Sequence, residues 1–203
     1  MKGKLAFITI YTTAATLFAS PMTAQAAVFT WEDAPLSGAS ENPPVNSPGT
    51  GFATVTLDTV AQTLSVNVTF SGLTSGTTAS HIHCCTTTRG GNAGVATTTP
   101  TFAGFPLGVT FGTFVTTLDM TQMSSYNPAF ITANGGTVAS AEAVLFAGME
   151  DGDSYLNIHT SNNPGGEIRA LLTPLPATLP LFATGLGALG LLGWRRKKKA
   201  AAV

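Results

Sequence analysis

Leu64-Ser65-Val66-Asn67-Val68-Thr69-Phe70-Ser71 alternates an apolar with a polar side chain at every step. Successive side chains of a strand point to opposite faces, so this run puts Leu64, Val66, Val68 and Phe70 on a core and leaves the others in water, as a half-buried antiparallel strand does. Residues 51–58 do the same, with Ala53, Val55 and Leu57 on one face and Phe52, Thr54 and Thr56 on the other. Ala61-Gln62 between the two runs is read as a hairpin turn. Farther out, residues 72–76 turn the chain into a strand around His81, 112–119 read as another strand, and 155–160 and 167–172 as the last two, joined by the turn 161–166. The prolines of Glu41-Asn42-Pro43-Pro44 and Asn46-Ser47-Pro48-Gly49 lack the donor a central strand needs, which makes this stretch a connection. Residues 86–108, rich in Thr, Gly and Pro, are read as a long surface loop of the kind that often carries binding. Residues 121–134 are read as a short helix and loop, and 140–148 as one or two helical turns ending at Gly148. No internal repeat occurs. Short alternating strands at even spacing predict an all-β domain, an antiparallel β-sandwich of immunoglobulin-like type, rather than a helical or α/β fold.

Charge and hydropathy divide the chain further. Only 9% of the residues are charged, and a central body of about 150 residues can bury roughly two-thirds of its unfolded surface. The net charge of −1 hides an asymmetry, because the basic residues crowd the ends: Lys2 and Lys4 at one, Arg195-Arg196-Lys197-Lys198-Lys199 at the other. Between them Arg89 and Arg169 face ten carboxylates, so the middle carries about −8. Nucleic acid is excluded as a partner, since its binding needs a basic patch. Lys2 and Lys4 precede an apolar run, and Ala24-Gln25-Ala26 follows it, so residues 1–26 read as a secretory signal peptide that delivers the domain, residues 27–173, to an oxidising compartment. Residues 174–203 form a tail. Within it, 175–194 carry no charge and as a helix would span roughly 30 Å, enough to cross a membrane with the basic cluster left cytoplasmic.

The residue types that carry chemistry are few and clustered. Four of the five His and Cys side chains of the chain lie in Ala79-Ser80-His81-Ile82-His83-Cys84-Cys85, and the fifth, His159, lies in Tyr155-Leu156-Asn157-Ile158-His159-Thr160. On a strand His81, His83 and Cys85 share a face. If the His159 strand lies beside them, three imidazoles converge into a site suited to Zn or Cu, with His81, His83, His159 and Cys85 as the candidate ligands. The alternative is a network in which each imidazole bonds backbone or a carboxylate around Asn157, Glu167 and Arg169. Cys84 and Cys85 have three readings: a disulfide between neighbours if the chain bends after His83, a metal ligand in Cys85, or free or intermolecular thiols. Glu167 and Arg169, two apart on a strand, are read as structural, bridging each other or a cross-strand neighbour. Glu150-Asp151-Gly152-Asp153 lacks the spacing of a calcium loop and is read as a solvated turn. No G-x-S-x-G, P-loop, H-E-x-x-H or Rossmann motif is present, and no spacing supports Ser80 or Ser154 as a nucleophile.

Three separated motifs give the chain a family likeness. Leu36-Ser37-Gly38-Ala39-Ser40-Glu41-Asn42-Pro43-Pro44-Val45, His81-Ile82-His83, and Tyr155 through Arg169 with its Asn163-Pro164-Gly165-Gly166-Glu167-Ile168-Arg169 ending together resemble the CHRD family, named from chordin. The resemblance covers roughly residues 30–173 and implies an all-β extracellular domain. Members usually continue H-I-H with Gly and Pro, where this chain has Cys84-Cys85. The tail resembles the PEP-CTERM sorting signal of Gram-negative bacteria, with Pro174-Leu175-Pro176-Ala177 as its motif and Leu175 where the usual form has Glu. That resemblance implies an exosortase-type enzyme as partner, cleavage near the motif after a transient stay in the membrane through 175–194, and delivery to the cell surface or an exopolysaccharide matrix. The function expected is therefore a non-enzymatic module that binds polysaccharide or another surface protein. A metal-dependent oxidoreductase or hydrolase built on the histidines is the rival, and a filler of the biofilm matrix without a specific ligand a third reading.

Overall fold

In a computed structural model, residues 28–174 are described; the stretches expected to be a leader (1–26), a membrane-spanning segment (175–194) and, except for Pro174, a sorting motif lie outside the described residues. Seven antiparallel strands, β1 (Val28–Ser37), β2 (Thr50–Asp58), β3 (Thr63–Ser71), β4 (Thr77–Cys84), β5 (Gly112–Asp119), β6 (Ser154–Thr160) and β7 (Ile168–Leu172), form a sheet in the order β4-β6-β7-β1-β2-β3-β5. Two helices, α1 (Pro128–Ala133) and α2 (Val138–Glu150), lie between β5 and β6. No helix among the described residues is long and apolar enough to cross a membrane. The fold is all-β and antiparallel, as expected, but its strands are hydrogen-bonded into one curled sheet and not into two separate ones.

The alternation that identified β2 and β3 is what buries them. Ala53, Val55 and Leu57 pair across with Val68, Val66 and Leu64, all of them inaccessible or nearly so, and each such large side chain contributes roughly 1.5–3 kcal/mol. Ile82 of β4, Leu156 and Ile158 of β6, and Ile168, Ala170 and Leu172 of β7 belong to the same apolar cluster. One core is therefore shared by the two halves of the sheet, which meet at β1. That strand pairs with β2 along most of its length but with β7 only at Ser37 and Arg169.

Two helical expectations are refined. Asn127 caps α1 through its side chain, with Pro128 at the first helical position, where a missing N–H costs nothing. Thr137 and Ser140 cap α2 reciprocally, and α2 runs past Gly148 to Glu150. Gly148 does not stop the helix. It lacks a side chain because a Cβ there would collide with the sulfurs of both Cys84 and Cys85.

β4 is an edge strand, and the segment 85–111 covers its free edge. Ala96 N–H donates to Ile82 O at 3.0 Å, Ile82 N–H to Thr97 Oγ1 at 2.9 Å, Cys84 N–H to Gly94 O at 3.2 Å and Phe102 N–H to Ser80 O at 3.2 Å. A strand edge left open would template association. The expected free surface loop is thus a strap bonded to the histidine strand, and that brings its carbonyls to the imidazoles.

Candidate metal centre

Period-two geometry splits β4, β6 and β7 into an inner and an outer face. Ile82, Leu156, Ile158 and Ala170 face the core; Ala79, His81 and His83 of β4, Tyr155, Asn157 and His159 of β6, and Arg169 of β7 share the other side. The register sets His83 opposite Tyr155, His81 opposite Asn157, Ala79 opposite His159, and Asn157 opposite Arg169. His159 is thereby the diagonal neighbour of His81, a spacing that rings readily close. The strap and the β6–β7 turn roof this face: His81 and His83 are only 6% and 7% exposed, and His159 is half-buried.

Each imidazole spends one nitrogen on a backbone carbonyl. His81 Nε2 lies 2.7 Å from Pro100 O, His83 Nδ1 2.9 Å from Ala93 O, and His159 Nδ1 2.9 Å from Pro164 O. A carbonyl only accepts, so each of these nitrogens carries the proton, and the tautomers follow. The nitrogens left over, His81 Nδ1, His83 Nε2 and His159 Nε2, carry lone pairs. The ligand atoms of the three rings lie within 4.8 Å of one another. His81 Nδ1 and His159 Nε2 are 3.3 Å apart, and in these tautomers neither has a proton to give the other; His83 Nε2 is buried without a partner.

The electrostatics keep the rings neutral. Burial pulls the His83 imidazole down to about 4, with only the Ala93 carbonyl opposing and the other two histidines and Arg169 adding to the fall. Burial also lowers His81 and His159. Behind His83, the Tyr155 ring stacks at 4.7 Å and 8°, and the Arg169 guanidinium lies 3.7 Å over the far side of Tyr155. Arg169, 2% exposed, donates to Glu41 Oε2 at 2.9 Å, to Gly91 O at 3.1 Å and to Asn92 Oδ1 at 2.7 Å. It thus ties β7 to the strap and to the β1–β2 connection.

Of the candidate residues, the structure brings together His81, His83 and His159 and leaves Cys85 out. Cys85 lies past the end of β4, and its sulfur is bonded to that of Cys84, across a cis peptide. Cys84 projects from the opposite face of β4, among the core residues, so the pair sits against Gly148 of α2; both sulfurs are consumed and neither is a thiolate that a metal can take. Glu167 and Arg169 do not bridge each other. Glu167 accepts from Ser47 Oγ and Thr74 N–H on one oxygen and from the Thr74 and Thr160 hydroxyls on the other, and Arg169 pairs with Glu41. Asn157 accepts the Ser80 hydroxyl on its backbone carbonyl at 2.9 Å, which spends that hydroxyl on structure. The sequence reading missed Tyr155 and Glu41 as part of the site, although both stand in the quoted motifs. It had no means of finding the Ala93, Pro100 and Pro164 carbonyls, which carry no side-chain signal.

The CHRD domain family model matches residues 33–172, a span that takes in every residue of this centre and all but the first residues of β1. No curated protein matches the chain, and no solved structure does.

Proposed function

The chain belongs to the CHRD domain family, and from that premise we propose that it is an exported, non-enzymatic binding module of the cell surface or exopolysaccharide matrix, whose ligand is held on the imidazole face of β4 and β6. The observation that carries the proposal is the arrangement of unspent acceptors on that face: His83 Nε2 is buried and unpartnered, and in the same cluster His81 Nδ1 and His159 Nε2 face each other at 3.3 Å. Buried polar atoms are normally partnered, as those of the Glu167 carboxylate are. Ser80 finds no support as a nucleophile, because its hydroxyl is committed to Asn157 O. In the same reading the fold is a sandwich of immunoglobulin-like type, its halves β1-β2-β3-β5 and β4-β6-β7 closing on one core.

Export and sorting rest on the ends of the sequence: the basic and apolar leader with its Ala24-Gln25-Ala26 site, and the tail with Pro174-Leu175-Pro176-Ala177, an uncharged stretch and a basic cluster. An exosortase-type enzyme is the partner this implies. Replacement of Pro176 by Ala tests it by cell fractionation. The variant is expected to stay in the inner membrane at its unprocessed mass while the parent reaches the surface or medium; equal processing and release of both would remove the sorting proposal. The rival, a metal-dependent oxidoreductase or hydrolase, draws on one feature, that three protein ligands leave a coordination position open, as catalytic zinc sites do.

A further inference from the structure

We infer that the His81, His83 and His159 cluster is a three-imidazole binding site for a late first-row transition-metal cation, copper or zinc. The inference names the ligand of the binding-module reading above and rests on that reading for nothing but the place where the ligand sits.

Neutral tautomers cannot account for the cluster alone. Were His81 protonated on Nδ1 so as to donate to His159, its Nε2 lone pair would face Pro100 O at 2.7 Å, oxygen against nitrogen with no proton between. The same exchange at His159 would set its Nδ1 lone pair against Pro164 O at 2.9 Å. Both rings therefore present lone pairs to each other across 3.3 Å, with a third, buried, beside them. A positive charge placed among the three, a proton or a metal ion, removes that repulsion. A proton makes one ring an imidazolium in a roofed pocket where burial disfavours it, with the Arg169 cation already stacked behind Tyr155.

A metal ion fits the spacing. With metal–nitrogen bonds of roughly 2.0–2.1 Å and tetrahedral angles, neighbouring ligand nitrogens stand about 3.3–3.4 Å apart, the distance already present between His81 and His159. The His83 ring then closes by a small movement, its ligand nitrogen lying within 4.8 Å of the other two. Each ligand ring is held from behind by its bond to a carbonyl, the support that fixes tautomer and orientation in histidine metal sites. Three imidazoles without a carboxylate select zinc and copper over magnesium and calcium, which want oxygen, and copper(II) binds more tightly than zinc at a given nitrogen set.

Titration calorimetry of the full chain with zinc(II), copper(II), magnesium and calcium, each alone, tests the inference, together with the EPR spectrum of the copper(II) form. Expected are one equivalent of zinc or copper, copper the tighter, no heat with magnesium or calcium, and nitrogen hyperfine structure from imidazole. His81→Gln, His83→Gln and His159→Gln should each weaken binding by more than the 10–100-fold that loss of a supporting residue costs. Because a buried substitution can unfold the domain, far-UV circular dichroism accompanies each variant, and the parent's unfolding temperature should rise with added zinc while that of a folded variant does not. Absence of zinc and copper binding by the folded parent, or binding that survives all three substitutions, overturns the site. Loss of metal binding with sorting intact would strike this inference alone; failed sorting with metal bound would strike the export reading alone.

Discussion

Glu167 shows how a charge is kept in the interior without a cation. It is inaccessible to solvent, and its carboxylate accepts from Ser47 at 2.6 Å, from Thr74 at 2.7 Å and 2.9 Å and from Thr160 at 2.6 Å. These donors come from the 38–49 connection, the turn before β4 and the end of β6, so one side chain gathers three separate stretches. Burial pushes the carboxyl up, but the four hydrogen bonds together outweigh it and hold the group below its ordinary 4.5. A depressed carboxyl contributes stability that is complete above the ordinary value and is lost as pH falls through the folded one. Glu167→Gln keeps the shape but replaces charge-assisted bonds with neutral ones, and hydrogen bonds to charged groups are worth about 1.5–3 kcal/mol. Urea unfolding at neutral pH should show the variant less stable by about that much, with the gap to the parent closing as pH falls below 4.5. A gap independent of pH would mean that the carboxylate's charge is not what the network holds.

At the scale of elements, Gly148 decides how α2 docks. An alanine within a helix normally gains about 1 kcal/mol over glycine, yet here its Cβ would run into both sulfurs of the Cys84–Cys85 bond, and overpacking costs about 1–3 kcal/mol. Gly148→Ala should therefore destabilise on balance. When Cys84 and Cys85 are both alanine, the same substitution should turn neutral or stabilising, a sign change that a thermal-unfolding cycle reads directly. The same pair explains what the sequence hides at this scale. β2, β3 and β5 were legible because one face of each meets water, and residues 112–119 were located to the residue. β1 was not, because a bulge between Trp31 and Ala34, with Asp33 at a φ of 47°, breaks the alternation midway. The extent of α2 was misjudged because a glycine reads as a stop when its partner is out of sight along the chain. The three imidazoles were legible as a cluster by their rarity, whereas Cys85 does not share their face, since strand periodicity holds only until the chain bends away at the end of β4; the reading of a disulfide between Cys84 and Cys85 matches the bond found there.

Across the whole molecule, the sheet's two halves share a core but only a single register position between β1 and β7, so the polar ties across the seam carry weight. The chief of these is the bond from Arg169 of β7 to Glu41 beyond β1; within its own half the same guanidinium also reaches Gly91 and Asn92 of the strap and stacks on Tyr155 behind His83. A buried pair is costly to break from one side because the survivor is left uncompensated, at about 3–5 kcal/mol. Burial already lifts the Glu41 carboxyl above its ordinary range, with Arg169 the main opposing influence; without the guanidinium that opposition is gone. A carboxyl raised by folding favours the folded state while protonated, and this contribution fades as pH climbs through the folded value. Arg169→Met should thus lose about 3–5 kcal/mol at neutral pH and recover part of the loss as the solution is acidified toward pH 4.5. Adding Glu41→Gln should remove the recovery and make the double variant more stable at neutral pH than Arg169→Met alone. Denaturant midpoints at several pH values separate these outcomes: if the double variant is no better than the single at neutral pH, the loss comes from the strap and the Tyr155 stack, and the ion pair is not what holds the two halves together.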